Sequence, residues 1–178
     1  LGVEVHDHES GQLAAEFFDR VCRDEGINQK SATVLHSDNG APMRSITLAS
    51  KMEELGVLLS FSRPRVSNDN AYAEALFRTM KYHQSYPVRR FRDLLSVRSW
   101  VDGFVGWYNN EHRHSSIKYV TPNQRHYGEA DMICAIRQQT YDEARQRHPE
   151  RWSQPPRSWK QPEVVQINHP RPTQPAAA

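Results

Sequence analysis

The order of the local sequence patterns strongly limits the folds open to this chain. In the first 61 residues, short apolar or β-branched runs at 2–5, 33–36 and 57–61 alternate with stretches whose apolar residues recur at helical spacing. Beyond residue 61 only helical patterns follow. Strands that alternate with helices favour an α/β domain, and so few strands predict a small sheet.

The helical stretches have recognisable ends. Ser10 and Ser45 each precede an apolar-periodic stretch as N-cap residues, while Gly26 and Gly56 end these two stretches. Further helices are predicted from about residue 70, over 92–108, from Thr121-Pro122 to Gly128, and over 131–147. In the helix near residue 70, an apolar stripe is formed by Ala73, Leu76, Phe77 and Met80.

Composition excludes several classes of protein. No apolar run approaches the length of a membrane span, and no charged-then-apolar leader opens the chain, so we expect neither membrane insertion nor secretion. Cys22 and Cys134 are too few for a disulfide framework and are expected to be buried thiols. Seven of the 11 prolines lie from Pro149 onward, which predicts an extended or disordered tail over 149–178.

Charge is unevenly distributed along the chain. Residues 1–62 carry 10 acids and 5 bases, whereas residues 63–178 carry 11 acids and 18 bases. The densest basic stretch contains Arg63, Arg65, Arg78, Lys81, Arg89, Arg90 and Arg92, with Tyr72, Tyr82 and Tyr86 interleaved. This mixture is typical of surfaces that hold phosphates and stack on bases. The alternative is a solvated basic face whose tyrosines belong to the core.

Two carboxylates occupy positions suited to chemistry. Asp38 directly follows the predicted strand 33–36, and the carboxyl ends of strands in α/β sheets face the usual ligand crevice. Glu74 lies early in a predicted helix, on the face that also carries Arg78 and Lys81. Each has a simpler interpretation: Asp38 as an Asx turn that caps its own backbone, and Glu74 as a surface residue paired with Arg78.

Taken together, several segments resemble one known family. Residues 36–40 (HSDNG), 67–74 (SNDNAYAE) and 77–81 (FRTMK) are similar to the second and third acidic motifs of DDE transposases. The 35 residues between Asp38 and Glu74 match that family's spacing, as does a lysine seven positions after the glutamate. The stretch from Tyr108 to Pro122 is similar to the closing motif of the same core. Residues 1–128 thus resemble the retroviral-integrase-like core of bacterial insertion-sequence transposases.

The resemblance implies a fold and an activity. It implies a partial RNase H-like integrase core over 1–128; helical periodicity and proline content add a C-terminal helix over 129–148 and the Pro-rich tail 149–178. The implied activity is Mg²⁺-dependent (or Mn²⁺-dependent) DNA cleavage and strand transfer during transposition, with Asp38 and Glu74 as catalytic metal ligands. The DNA-binding candidates are Lys81, Arg78, Asn39, Arg63 and Arg65. The implied partners are the element ends, target DNA, and another copy or an intact transposase, in the bacterial cytoplasm at the nucleoid.

The resemblance also implies a first catalytic aspartate on the first strand of the sheet. Glu4, Asp7 and Glu9 do not stand in that motif, and residues 2–5 look like the third strand of such a sheet. We therefore expect the first two strands to be missing, the strand at 33–36 to have an unpaired edge, and the 178 residues alone to be inactive. Two alternatives stay open: a non-catalytic DNA-binding or dimerising remnant that modulates intact transposase, and a nuclease on the same fold.

Overall fold

The computed structural model describes residues 2–164, and the predictions made for residues 165–178 lie outside the described residues. Residues 2–98 and 99–164 form two compact units. The division falls inside a helix, whereas the boundary predicted at residue 128 follows the extent of the resemblance. The expected α/β architecture with a small sheet is confirmed in the first unit.

The first unit alternates helices and strands in the predicted order. Its elements are α1 (Gly11–Asp24), β1 (Val34–Ser37), α2 (Ile46–Leu55), β2 (Leu58–Phe61) and α3 (Ala71–Lys81), and α4 (Leu94–Asn110) begins in it. The two strands are parallel, with Val34 opposite Leu58 and Ser37 opposite Phe61. Parallel strands need a long connection between them, which α2 provides.

Packing of α1 against α2 forms the core of this unit. As predicted, the Ser10 and Ser45 side chains accept hydrogen bonds from the first turns of these helices. Apolar side chains on the facing sides then exclude water. The buried residues are Ala15, Cys22, Leu48, Met52 and Val57, with Leu35 and Leu59 of the two strands packed against them.

The strand predicted for residues 2–5 is wrong. These residues form no ladder within the described part of the chain. Instead, the segment follows α1: the Glu4 carboxylate pairs with Arg20, and the Val5 carbonyl accepts a hydrogen bond from Arg98 Nε at 3.0 Å. Alternating residues predict a strand only where a neighbouring strand supplies hydrogen-bond partners, and here helix side chains supply them instead.

The small sheet has unpaired edges. Among residues 2–164, β1 and β2 pair only with each other, as expected for the strand near 33–36. Val34 and Leu58, which face each other at the start of the ladder, are 53% and 66% exposed. Unpaired strand edges are templates for pairing with a further strand.

The apolar stripe of α3 does not enter a core. None of the residues 71–81, all of which the structure describes, is buried, and Phe77 is 55% exposed. The pattern correctly predicted the helix, but periodicity does not show whether another element covers the apolar face. The first unit covers that face only in part.

The second unit contains α5 (Pro122–His126) and α6 (Ala130–Arg147). Thr121 caps α5 in a capping box with Gln124, as the Thr-Pro pair predicted. Residues 152–164 have no regular secondary structure, yet Trp159 is buried together with Val120, Ala130 and Cys134.

Within the described residues, no helix is long and apolar enough to cross a bilayer.

Gly56, which follows α2, is expected to be required because its backbone is left-handed and because a side chain would not fit there. Gly56 has φ +73°, and an added Cβ would lie 2.6 Å from Gln29 Cα; Gly26 has φ +65° with open space around it. Gly26→Ala should cost about 1–2 kcal/mol for the left-handed conformation alone. Gly56→Ala should cost about 1–3 kcal/mol more, because its Cβ also meets backbone. Urea denaturation measures both, and equal losses would contradict the close approach.

Candidate functional site

Hydrogen bonds join the loops that leave the carboxyl ends of the two strands. The Ser62 backbone N–H donates to the Ser37 carbonyl at 2.9 Å, which continues the strand pairing by one residue. The Asn39 side chain then donates to the Ser62 carbonyl at 2.8 Å and accepts from Arg44 Nη1 at 2.6 Å. The turn that carries Asp38 is therefore fixed by its neighbours on both sides.

Asp38 sits in this turn with its side chain exposed. Its Oδ1 accepts a hydrogen bond from the Gly40 backbone N–H at 3.0 Å, so the Asx turn considered from the sequence is present. A Cβ on residue 40 would lie only 3.1 Å from that oxygen, which explains why glycine suits the position. The turn orients the Asp38 carboxylate but uses only one of its two oxygens. Capping of the turn is therefore compatible with a role as a metal ligand.

His36, two residues before Asp38, connects β1 to the start of α3. Its Nε2 lies 3.0 Å from the Asp69 carbonyl oxygen, and its Nδ1 lies 2.9 Å from Ser60 Oγ. A carbonyl oxygen only accepts, so these partners assign the proton of the neutral ring to Nε2, and the Ser60 hydroxyl donates to Nδ1. His36 thus holds the 3₁₀ turn Ser67–Asn70, which runs directly into α3.

Asp69 and Arg63 form the second connection to α3. The Asp69 carboxylate is 6% exposed and accepts from the Arg63 backbone N–H at 2.7 Å, from Nε at 3.0 Å and from Nη2 at 3.0 Å. The side-chain hydrogen bonds from Arg63, with the backbone bond next, lower the pKa of Asp69 from 3.8 to about 2. Arg63, predicted to contact DNA, therefore also stabilises the loop after β2.

Glu74 is exposed in the first turn of α3. Within residues 2–164 its carboxylate makes no hydrogen bond or ion pair, and the pairing with Arg78 considered above does not form. The Arg78 guanidinium instead lies over the Tyr82 ring, 5.7 Å from its centroid. A carboxylate near a helix N-terminus is favoured by the helix dipole.

The structure thus brings the segments that carry the two acids together. One hydrogen bond, from His36 to the Asp69 carbonyl, joins the strand that leads to Asp38 with the turn that leads to Glu74. Both carboxylates offer hard oxygen donors of the kind that Mg²⁺ prefers. Among residues 2–164 no group of three or more His, Cys, Asp or Glu side chains is arranged to hold a metal ion.

Sequence reasoning missed the residues that position the acids. The sequence motifs include both His36 and Asp69 but do not show that these residues hold the loops together. The available indications were that His36 shares a strand face with Asp38 and that Asp69 directly precedes a helix.

The remaining DNA candidates, Arg65 and Lys81, are exposed, and Arg65 has φ +63°.

In the second unit, the polar stretch from Tyr108 to His114 packs its rings against each other. The Tyr108 ring centroid lies 5.4 Å from that of His112 and 4.8 Å from that of His114. Burial raises the pKa of Tyr108, and burial together with the neighbouring His112 lowers the pKa of His114. Aromatic packing thus partly buries residues whose polar character alone would assign them to the surface.

Comparison with known proteins concerns a segment that contains Glu74 and includes residues of both units. Residues 55–122, which include Glu74 and Lys81, match the integrase core domain family. Residues 55–122 are thus similar in sequence to integrase core domains. The chain is 32% identical over 95 residues to the transposase for insertion sequence element IS629 of Shigella sonnei, and 29% identical over 96 residues to InsK, named as a proposed transposase for element IS150 of Escherichia coli K12. The resemblance inferred from the motifs is confirmed.

The matches cover part of each protein. They include 52% and 54% of this chain but only 31% and 34% of the two relatives, so the chain spans about a third of their length. A third relative, from Lactococcus lactis, is named an ATP-dependent protease and is 30% identical over 104 residues, or 54% of this chain and 31% of its own length.

The Asp69–Arg63 pair should make the stability of the first unit depend on acidity. The folded-state pKa of about 2 lies below the ordinary 3.8, so the stabilisation is complete above pH 4 and is lost as the pH falls toward 2. Asp69→Asn should therefore lower the urea midpoint at pH 7, and the difference from wild type should shrink below pH 4. Asp24→Asn, an exposed acid on α1, controls for charge. A pH-independent difference would contradict the assignment.

Proposed function

We propose that this chain supplies part of the catalytic core of an insertion-sequence transposase, which cuts and joins DNA ends with Mg²⁺ or Mn²⁺ held by Asp38 and Glu74. The observation that carries the proposal is the hydrogen-bonded frame of His36, Asp69 and Arg63. It joins the segments that lead to two exposed carboxylates, of which Glu74 lies within and Asp38 before the sequence that matches the integrase core.

The residues present fit a divalent metal in donor type. When bound, such an ion neutralises charge that develops on the attacking and leaving oxygens of a phosphodiester. The frame keeps Asp38 and Glu74 in place without consuming their charge, because Arg63 pairs with Asp69 and Arg78 lies over Tyr82. Lys81, in the last turn of α3, then offers a cation for a phosphate near the cleaved bond.

In this proposal β1 and β2 are two strands of an RNase H-like sheet, and DNA is the substrate. The unpaired edges of both strands are compatible with further strands. The two carboxylates need a third ligand, which another part of a transposase would provide. We place the activity in the bacterial cytoplasm at the nucleoid, with another copy or an intact transposase as partner.

Metal binding by this chain should be weak and should depend on both acids. Added Mn²⁺ should broaden the backbone amide NMR signals near Asp38 and Glu74 before others, since a paramagnetic ion acts on its closest nuclei. Asp38→Asn or Glu74→Gln should reduce the apparent affinity at least about tenfold, because even the loss of groups that merely orient metal ligands has effects of that order.

Matched controls keep this test specific. Asp24→Asn and Glu53→Gln remove exposed carboxylates from α1 and α2 of the same unit and should leave the broadening unchanged. Broadening that spreads over all acidic surfaces, or that persists in both site variants, would refute the metal site.

The 178 residues alone should not carry out strand transfer, because they offer two of the three acids that the integrase core resemblance implies. The measurement is an Mg²⁺ or Mn²⁺ assay on DNA with element ends, with separation of cut from joined products. Robust joining that disappears in Asp38→Ala would refute the expected inactivity. Cut but unjoined DNA would favour a nuclease on the same fold.

The alternative role as a DNA-binding remnant draws on the exposed cations of α3 and the stretch that follows it. It predicts DNA binding that weakens with salt and survives the double change Asp38→Ala and Glu74→Ala. Interference of that variant with an intact transposase would favour this role over the catalytic one.

A further inference from the structure

Three aromatic side chains in and directly after α3 are largely exposed. Tyr72, Phe77 and Tyr82 are 57%, 55% and 81% exposed, and no residue of α3 is buried. Large exposed apolar side chains that cluster on one short element commonly mark binding surfaces. The question is which partner fits this one.

Charge favours a polyanion. Arg63 is engaged by Asp69, but the other six bases of the stretch 63–92 are exposed. These are Arg65, Arg78, Lys81, Arg89, Arg90 and Arg92. A second copy of this chain would bring the same positive charge to the surface, which disfavours self-association through it. A nucleic acid instead complements the charge with its phosphates and the exposed rings with its bases.

Tyr82 is the best placed of these rings. Tyr82 directly follows Lys81, the last residue of α3, and the guanidinium of Arg78, four residues earlier, covers one side of its ring. Since Tyr82 is 81% exposed, its opposite side faces solvent. A base that stacks there would complete a layer of guanidinium, phenol and base, with the guanidinium also close to a phosphate.

Distance along the helix relates this ring to the proposed metal position. Glu74 and Tyr82 are eight residues apart, which corresponds to about 12 Å of helix rise. One strand of duplex DNA advances about 3.4 Å per nucleotide. A strand that follows α3 from Glu74 therefore reaches Tyr82 after roughly three to four nucleotides.

We propose that Tyr82, backed by Arg78, is a stacking residue for an unpaired base of single-stranded DNA, so that this surface prefers single-stranded or frayed DNA ends to closed duplex. The inference rests on the proposed function, since it takes DNA as the substrate of the integrase core. Within a closed duplex the bases are already stacked on each other and present no face to the ring.

The test is DNA binding by the full 178-residue chain, measured by fluorescence anisotropy in EDTA. The probes are a labelled single-stranded oligonucleotide and a blunt duplex of the same sequence. Tyr82→Ala should weaken single-strand binding about tenfold and leave duplex binding within about twofold of wild type. Tyr82→Phe, which keeps the ring, should bind as wild type does.

Two further variants make the result specific. Tyr127→Ala removes another tyrosine, 72% exposed in the second unit, and should leave single-strand binding unchanged. Tyr82→Leu keeps an apolar side chain without a ring and should show the same loss as Tyr82→Ala, which separates stacking from hydrophobic contact. If Tyr82→Ala unfolds early in a thermal melt, the leucine and phenylalanine variants carry the comparison.

Several outcomes would overturn the assignment. Unchanged single-strand binding by Tyr82→Ala, an equal loss for single strand and duplex, or a change of oligomeric state without a change in DNA binding each exclude a stacking role. Because the assay contains no metal, it does not depend on Asp38 and Glu74. Failure of the Mn²⁺ experiment would therefore count against the proposed function and leave this result to be judged separately.

Discussion

The buried Asp69 carboxylate supports the arrangement of the whole candidate site. Three hydrogen bonds from Arg63 compensate its removal from water, and two of them come from a planar guanidinium suited to a carboxylate. The backbone carbonyl of Asp69 also accepts a hydrogen bond from His36 Nε2. A single residue thus connects the loop after β2, strand β1 and the turn that begins α3, and two of these segments lead to Asp38 and Glu74.

This arrangement separates positioning from chemistry. His36 is half-buried and Asp69 is buried, whereas Arg63 and the two carboxylates proposed to act on a metal are exposed. Close packing and satisfied hydrogen bonds keep the frame rigid. The exposed acids remain accessible to a cation, since the nearby guanidinium groups of Arg63 and Arg78 are occupied elsewhere. The same division explains why Arg63, predicted from charge alone to contact phosphate, proves to have a structural role as well.

Most local structure could be predicted from the sequence because it depends on neighbouring residues. Capping by Ser10, Ser45 and Thr121 and termination at Gly56 follow from side-chain and backbone preferences that act within one turn. The strand prediction for residues 2–5 failed because a strand requires a partner strand from elsewhere in the chain. The exposure of the α3 stripe and the burial of Trp159 were equally beyond local rules, since each depends on whether a distant segment covers the residue.

The sequence by itself determined the α/β order, the helix ends and the integrase core resemblance, including the spacing of Asp38 and Glu74. These features depend only on the types of residues and on their separation along the chain, and the sequence gives both. Only the tertiary structure decided that His36 and Asp69 join the two acidic segments, that Arg78 lies over Tyr82, and that α3 leaves its aromatic residues exposed. Such contacts join residues through packing and hydrogen-bond geometry, and that geometry arises only when the chain folds.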